Sequence, residues 1–216
     1  MKTINITCEN TQQDYEVELG TTLRDVKKTV FPENHRHILG ALVNNQLQDR
    51  QYVVMTSLRV NFIDVTTLDG YSIYSRSLLF VLFKAVSLLF PKKTLRAEYF
   101  ISNGMFCRIV NKDIILNPDK ISQLRNKMQE IIESDLPITR EEIPTEEAIR
   151  IFRKRGLKDK ADLMETRGKL YTSLYYLDDL ADYFYGTLAP STGCLKTFDL
   201  QPYKDGMLLQ LPDRSN

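Results

Sequence analysis

One stretch dominates the hydrophobic pattern of this chain. Residues 75–90 (SRSLLFVLFKAVSLLF) are apolar at nearly every position, with Arg76 near the start, Lys84 past the middle and Pro91 closing the run. A helix with so narrow a polar face is buried on most of its circumference. A bilayer span needs about 20 uninterrupted apolar residues, and here a lysine breaks a shorter run. The pattern therefore predicts the central helix of a soluble domain.

The residues before it alternate with period two. Ile4, Ile6 and Cys8, then Tyr15, Val17 and Leu19, stand between polar neighbours and predict two half-buried strands joined by a polar turn at 9–13. Gly20 breaks the second strand. Thr22 and Asp25 have the spacing of a capping box for a helix over 23–30. Strands are expected at 38–43 and 58–62, with a tight turn at Asn44-Asn45. Two strands, a helix and further strands describe a β-grasp, ubiquitin-like unit over 1–65.

The second unit, 66–216, is expected to be α+β. Asp69-Gly70 predicts a turn before the apolar helix. Leu95, Ala97, Tyr99 and Ile101 alternate towards Asn103-Gly104, a hairpin signal, and 105–110 returns as a strand. Asn117-Pro118 predicts a capped start for an amphipathic helix carrying Ile121, Leu124, Met128, Ile131 and Ile132. An extended stretch at 137–143 precedes a helix over 146–155 stopped by Gly156. The rest, 170–177, 194–200 and 207–211, reads as short strands. The apolar helix is expected to lie on an antiparallel sheet.

Charge and candidate chemistry narrow the functions open to the chain. With 29 basic and 28 acidic residues, no general field draws it to nucleic acid or to anionic lipid, although a local patch stays open. Cys8, Cys107 and Cys194 are odd in number and form no CxxC pair, which argues against a disulfide framework or a local zinc cluster. The start, MKTINITCEN, lacks the apolar core of a signal peptide, so the expected location is the cytoplasm. His35 and His37 stand two apart in a loop, and the reading is of solvated residues rather than a metal site. The chain has no GxxxxGK[ST], GxGxxG or GxSxG motif. No catalytic constellation and no metal set is assigned. Tyr171, Tyr175, Tyr176, Tyr183 and Tyr185 suit either base stacking or ordinary packing.

Three segments in order, GTTLRDV (20–26), ALVNNQL (41–47) and VNFID (60–64), resemble a TGS domain, the small β-grasp module of threonyl-tRNA synthetases and some GTPases. The resemblance implies ligand or RNA contact and regulation, without chemistry; a module that merely packs on its neighbours is the alternative. The rest is similar to the second additional domain of threonyl-tRNA synthetase, through the apolar helix, the NG hairpin, FxxRG (152–156), YFYGTLAP (183–190) and TFDL (197–200). That family of editing domains, shared with alanyl-tRNA synthetase, hydrolyses mischarged aminoacyl-tRNA with two histidines one helical turn apart, a cysteine and a third histidine, which in some members hold zinc.

Here the corresponding positions are Arg76, Phe80, Phe184 and Leu188. Phenylalanine and leucine neither ligate metal nor transfer protons, and arginine has no acceptor. The resemblance thus implies lost hydrolysis. It aligns Lys160 and Asp182 with positions that contact the amino acid, and Arg76, Lys84, Tyr185 and Lys196 are further candidates for the pocket. The pocket would take a small polar ligand, a nucleotide or a tRNA end; the competing reading is an ordinary Lys160–Asp182 ion pair.

The two-domain order, with DGYSIYSRSLLFVLFKAV (69–86), also resembles the amino-terminal half of bacterial proteins of the uridine kinase and phosphoribulokinase family. That implies a non-catalytic regulatory or recognition region whose partner is its own downstream kinase domain. ATP and Mg would be required by that domain only, and no cofactor is expected in the present residues. The alternatives are a free-standing tRNA- or RNA-binding module and an aminoacyl-tRNA deacylase using other residues. No membrane contact is expected.

Overall fold

The structure, a computed structural model, describes residues 2–32, 38–48, 51–91, 93–110 and 116–213; His35 and His37 lie outside the described residues. The fold is α+β, with twelve strands and five α-helices among the described residues. The chain divides into two compact units. One gathers the described parts of Met1–Ser75 with Gly186–Pro190, the other Arg76–Tyr185 with Ser191–Asp213.

In the first unit β1 (Thr3–Cys8) and β2 (Gln13–Glu18) form an antiparallel hairpin, followed by α1 (Leu23–Val30), β3 (Gly40–Val43), β4 (Gln46–Gln48) and β5 (Leu58–Ile63). The sheet order is β2-β1-β5-β3-β4, with β1 and β5 running parallel. Period-two alternation buries Ile6, Cys8 and Val17 and leaves Glu16 and Glu18 outside. Helical spacing places Leu23, Val26 and Val30 of α1 on one buried face, in a core with Val43, Val60 and Phe62. Asn10 fastens the β1–β2 turn to β5: its amide donates to the Phe62 carbonyl at 2.9 Å and accepts from the Phe62 N–H at 2.7 Å. The expected capping box does not form. The Thr22 hydroxyl instead donates to the Asp25 carboxylate at 2.8 Å, and no side-chain cap reaches the backbone.

The long helix α2 (Leu68–Leu89) starts seven residues before the expected boundary at Ser75. Thr67 is its cap, with the hydroxyl accepting from Gly70 N–H at 3.0 Å and the carbonyl from Tyr71 N–H at 2.8 Å. Gly70 therefore belongs to the helix rather than to a turn, and its role is close approach: a Cβ there would fall 1.6 Å from the Asp64 carbonyl oxygen. By length and composition α2 matches a membrane span, but 67% of its most apolar window is buried within the protein, as for a core helix.

The second unit continues with β6 (Leu95–Ile101), β7 (Gly104–Ile109), α3 (Pro118–Glu133), β8 (Ile138–Pro144), α4 (Thr145–Lys154), α5 (Lys158–Arg167), β9 (Tyr171–Leu177), β10 (Leu180–Asp182), β11 (Asp199–Tyr203) and β12 (Gly206–Gln210). They form sheets of order β11-β12-β7-β6 and β10-β9-β8, all pairs antiparallel. Asn117 caps α3 by accepting from Lys120 N–H at 3.0 Å. The hairpin turn is Ser102-Asn103, not Asn103-Gly104, with Ser102 in the left-handed region at φ 51°. Gly104 opens β7 opposite Ile101 because Leu208 lies against it; a Cβ would sit 2.9 Å from a Leu208 methyl. The helix α5 was absent from the expected elements. Only Ala161 and Met164 of its ten residues are buried, so it carries little apolar periodicity.

One prediction concerns the start of α2. Gly70→Ala places a methyl against backbone that has no room to retreat, and a loss of about 3 kcal/mol is expected in urea unfolding, whereas Ser72→Ala, at an exposed position of the same helix, should cost well under 1 kcal/mol.

Candidate functional site

The site is built where α2, α5 and the β9–β10 hairpin meet inside the second unit. Phe80 and Phe83 are three residues apart on α2 and so share a face. The Phe184 ring, two residues past β10, packs on both, with centroids 5.2 Å from Phe80 and 6.1 Å from Phe83. Tyr175 of β9 closes the group edge-on at 6.5 Å from Phe184. These spacings are those of attractive aromatic pairs. Phe80 is fully buried.

Lys160 of α5 lies over this group, its ammonium 5.0 Å from the Phe83 ring centre, and donates to Asp182 Oδ1. The same oxygen accepts from Tyr183 N–H at 2.7 Å. Asp182 is 1% exposed, and these donors, with the charge of Arg155 nearby, compensate its carboxylate. Arg155, the arginine of the FxxRG segment, donates to the neighbouring Ala181 carbonyl. Burial lowers its pKa against the pull of Asp182 and Asp179, yet a guanidinium remains charged near neutrality.

Lys84 takes a different direction from the rest. It is 3% exposed, and its ammonium reaches the β9–β10 turn, donating to Asp178 at 2.9 Å and also to Asp179. Burial disfavours its charge, but the two aspartates outweigh burial and raise its pKa. Lys84 in turn holds the Asp178 carboxyl below the usual carboxylate range. Asp178 accepts a left-handed backbone, φ 55°, to make this turn.

Of the positions singled out from sequence, the structure brings together Phe80, Phe184, Lys160 and Asp182. Arg76 is half-buried one turn before Phe80, and Leu188 is buried within Gly186–Pro190, the stretch grouped with the first unit. Tyr185 is 84% exposed and Lys196 is exposed. Phe83 and the Asp178–Asp179 pair were not among the candidates, while Tyr175 was singled out only with the other tyrosines of 171–185 and Arg155 only as part of FxxRG. The three-residue spacing from Phe80 would have found Phe83; nothing in the sequence pairs Lys84 with a turn 94 residues on. The side chains at the four editing-type positions contain no imidazole, thiolate or carboxylate, so they do not fit zinc. Among the described residues no cluster of three or more histidine, cysteine, aspartate or glutamate residues is disposed to hold a metal. Burial, with the Glu98 charge, pushes the Cys107 thiol up to about 12, which leaves it protonated and a poor nucleophile at neutral pH.

Two predictions follow the electrostatics. Lys160→Met takes the cationic hydrogen-bond partner from the buried Asp182 carboxylate and should cost about 3 kcal/mol in urea unfolding, while adding Asp182→Leu should recover a good part of it. Asp178 has the lower pKa in the folded state, so its share of stability is present above about pH 4 and is lost as pH falls through its folded value. Acid unfolding of Lys84→Met should be less steep in that window. At the other extreme, the raised Lys84 pKa sustains the pair until strongly alkaline pH.

No protein-family model matches the chain. Over 185 residues, 86% of its length, it is 26% identical to the threonine–tRNA ligase of Francisella tularensis subsp. tularensis strain FSC 198. It is 25% identical over the same extent to the threonine–tRNA ligases of F. tularensis subsp. novicida strain U112 and subsp. holarctica strain LVS. The chain spans 29% of the length of these relatives. It therefore contains a threonyl-tRNA synthetase-like region.

Proposed function

We propose that this chain is a non-hydrolytic recognition module on an editing-type scaffold, and that it binds the single-stranded 3′ end of a tRNA. The observation that carries the reading is the Phe80–Phe83–Phe184 group beside an intact Lys160–Asp182 pair. Rings stand where hydrolysis calls for groups that move protons or hold a metal, while the polar pair suited to gripping an aminoacyl or ribose group is kept. The likeness to threonine–tRNA ligases over 86% of the chain supports a tRNA-related role. The order β2-β1-β5-β3-β4 with its parallel β1–β5 pair supports reading the first unit as a β-grasp, TGS-type module. A cytoplasmic location belongs to the same proposal.

The narrower reading, a regulatory region preceding an ATP- and Mg-dependent nucleoside kinase, rests on the resemblance of 69–86, and no feature of the site favours it. A deacylase using other residues is the enzymatic alternative.

Incubated with a panel of mischarged tRNAs, the purified protein should leave every ester bond to decay at the rate in buffer. It should bind uncharged tRNA, and trimming the 3′ single strand should weaken that binding at least tenfold. Turnover above buffer would end the non-hydrolytic reading; indifference to trimming would end the recognition of the tRNA end.

A further inference from the structure

The positive charge of this nearly neutral chain is unevenly placed. Residues 153–160, RKRGLKDK, hold five basic side chains and one acidic one, against a net charge of +1 for all 216 residues. The segment joins α4 to α5 through Gly156, whose φ of 75° turns the chain sharply and brings the end of one helix to the start of the next. Its acidic residue, Asp159, is bound by Arg96 at 2.8 Å, so it does not neutralise its neighbours.

Part of this charge has an internal explanation. Arg153 bridges to Glu165, Arg155 holds the Ala181 carbonyl and Lys160 holds Asp182. Arg153 and Lys154 also suit the negative end of α4. Lys158 has no such account. It is exposed at the first position of α5, where the helix dipole disfavours a cation, and the helix start has no side-chain cap to compensate. A charge placed against the local preference of its helix is one that helix stability does not account for. Lys154 and Lys158 both face solvent, and the two cations between and beyond them, Arg155 and Lys160, reach β10 at Ala181 and Asp182.

We propose that this α4–α5 corner binds the phosphate backbone of RNA immediately beside the Lys160–Asp182 pair. The proposal builds on the reading of the chain as an RNA-end module and names the surface that supplies its affinity. Lysines at 154 and 158 act as mobile point charges on phosphates, and the corner leads the strand towards Asp182.

The test is the double variant K154E/K158E, both positions being exposed, with the thermal transition measured to establish that the fold is intact. Binding of labelled tRNA is titrated at several salt concentrations. The expected result is at least a tenfold loss of affinity at low salt, with a log K against log salt slope shallower by about 1.5 to 2. The control R24E/R59E, in the first unit, should change neither. An unchanged affinity and slope in K154E/K158E overturns the corner, and does so without touching the reading above if trimming the 3′ end still weakens binding. Conversely, a large effect of K154E/K158E, with intact and trimmed tRNA bound equally well by the unaltered protein, upholds the corner and removes the recognition of the end. No RNA binding by the unaltered protein removes both.

Discussion

The burial of Lys84 constrains the second unit more than any other single feature. An apolar helix can be enclosed on nearly all sides, but an ammonium on it cannot be enclosed without anionic partners. The protein meets this by bringing the β9–β10 turn to the helix, with Asp178 and Asp179 receiving the charge. Once that turn is fixed, the residues just past it have fixed positions too. Asp182 then stands under Lys160, and Phe184 falls against Phe80 and Phe83.

What was legible in the sequence depended on how local the cause was. The α1 boundaries, Leu23–Val30, follow from Gly20 before it, apolar spacing within it and Phe31-Pro32 after it. The strands β1 and β2 follow from alternation alone. The start of α2 was misplaced because Asp69-Gly70 has the composition of a turn, while the glycine is needed for the approach of the Asp64 carbonyl, a tertiary cause. The Asn103-Gly104 hairpin slipped by one residue for a related reason, since Leu208 rather than the turn requires Gly104. The helix α5 could not be read from periodicity, because what holds it includes Lys160 on Asp182 and Arg153 on Glu165 besides its two buried side chains.

The candidate site was half legible. Helical spacing and the editing-type resemblance were enough to single out Phe80, Phe184, Lys160 and Asp182, which meet in space. They could not reveal that the three rings, with Phe83, form one contiguous group, since that depends on how far past β10 the chain runs before Phe184. As packing the group is self-consistent: the Phe184 ring lies against both Phe80 and Phe83, and Phe80 is fully buried.

The strand β10 is three residues long, lies at the edge of its sheet and bonds only to β9. So short a ladder specifies its own alignment weakly, and a slip of one residue would turn every side chain to the opposite face. Three cations prevent it: Lys84 of α2 grips the turn before the strand, Arg155, just past the end of α4, the carbonyl of Ala181 and Lys160 of α5 the carboxylate of Asp182. The helices thereby act as calipers, setting the phase of a strand too brief to set it alone.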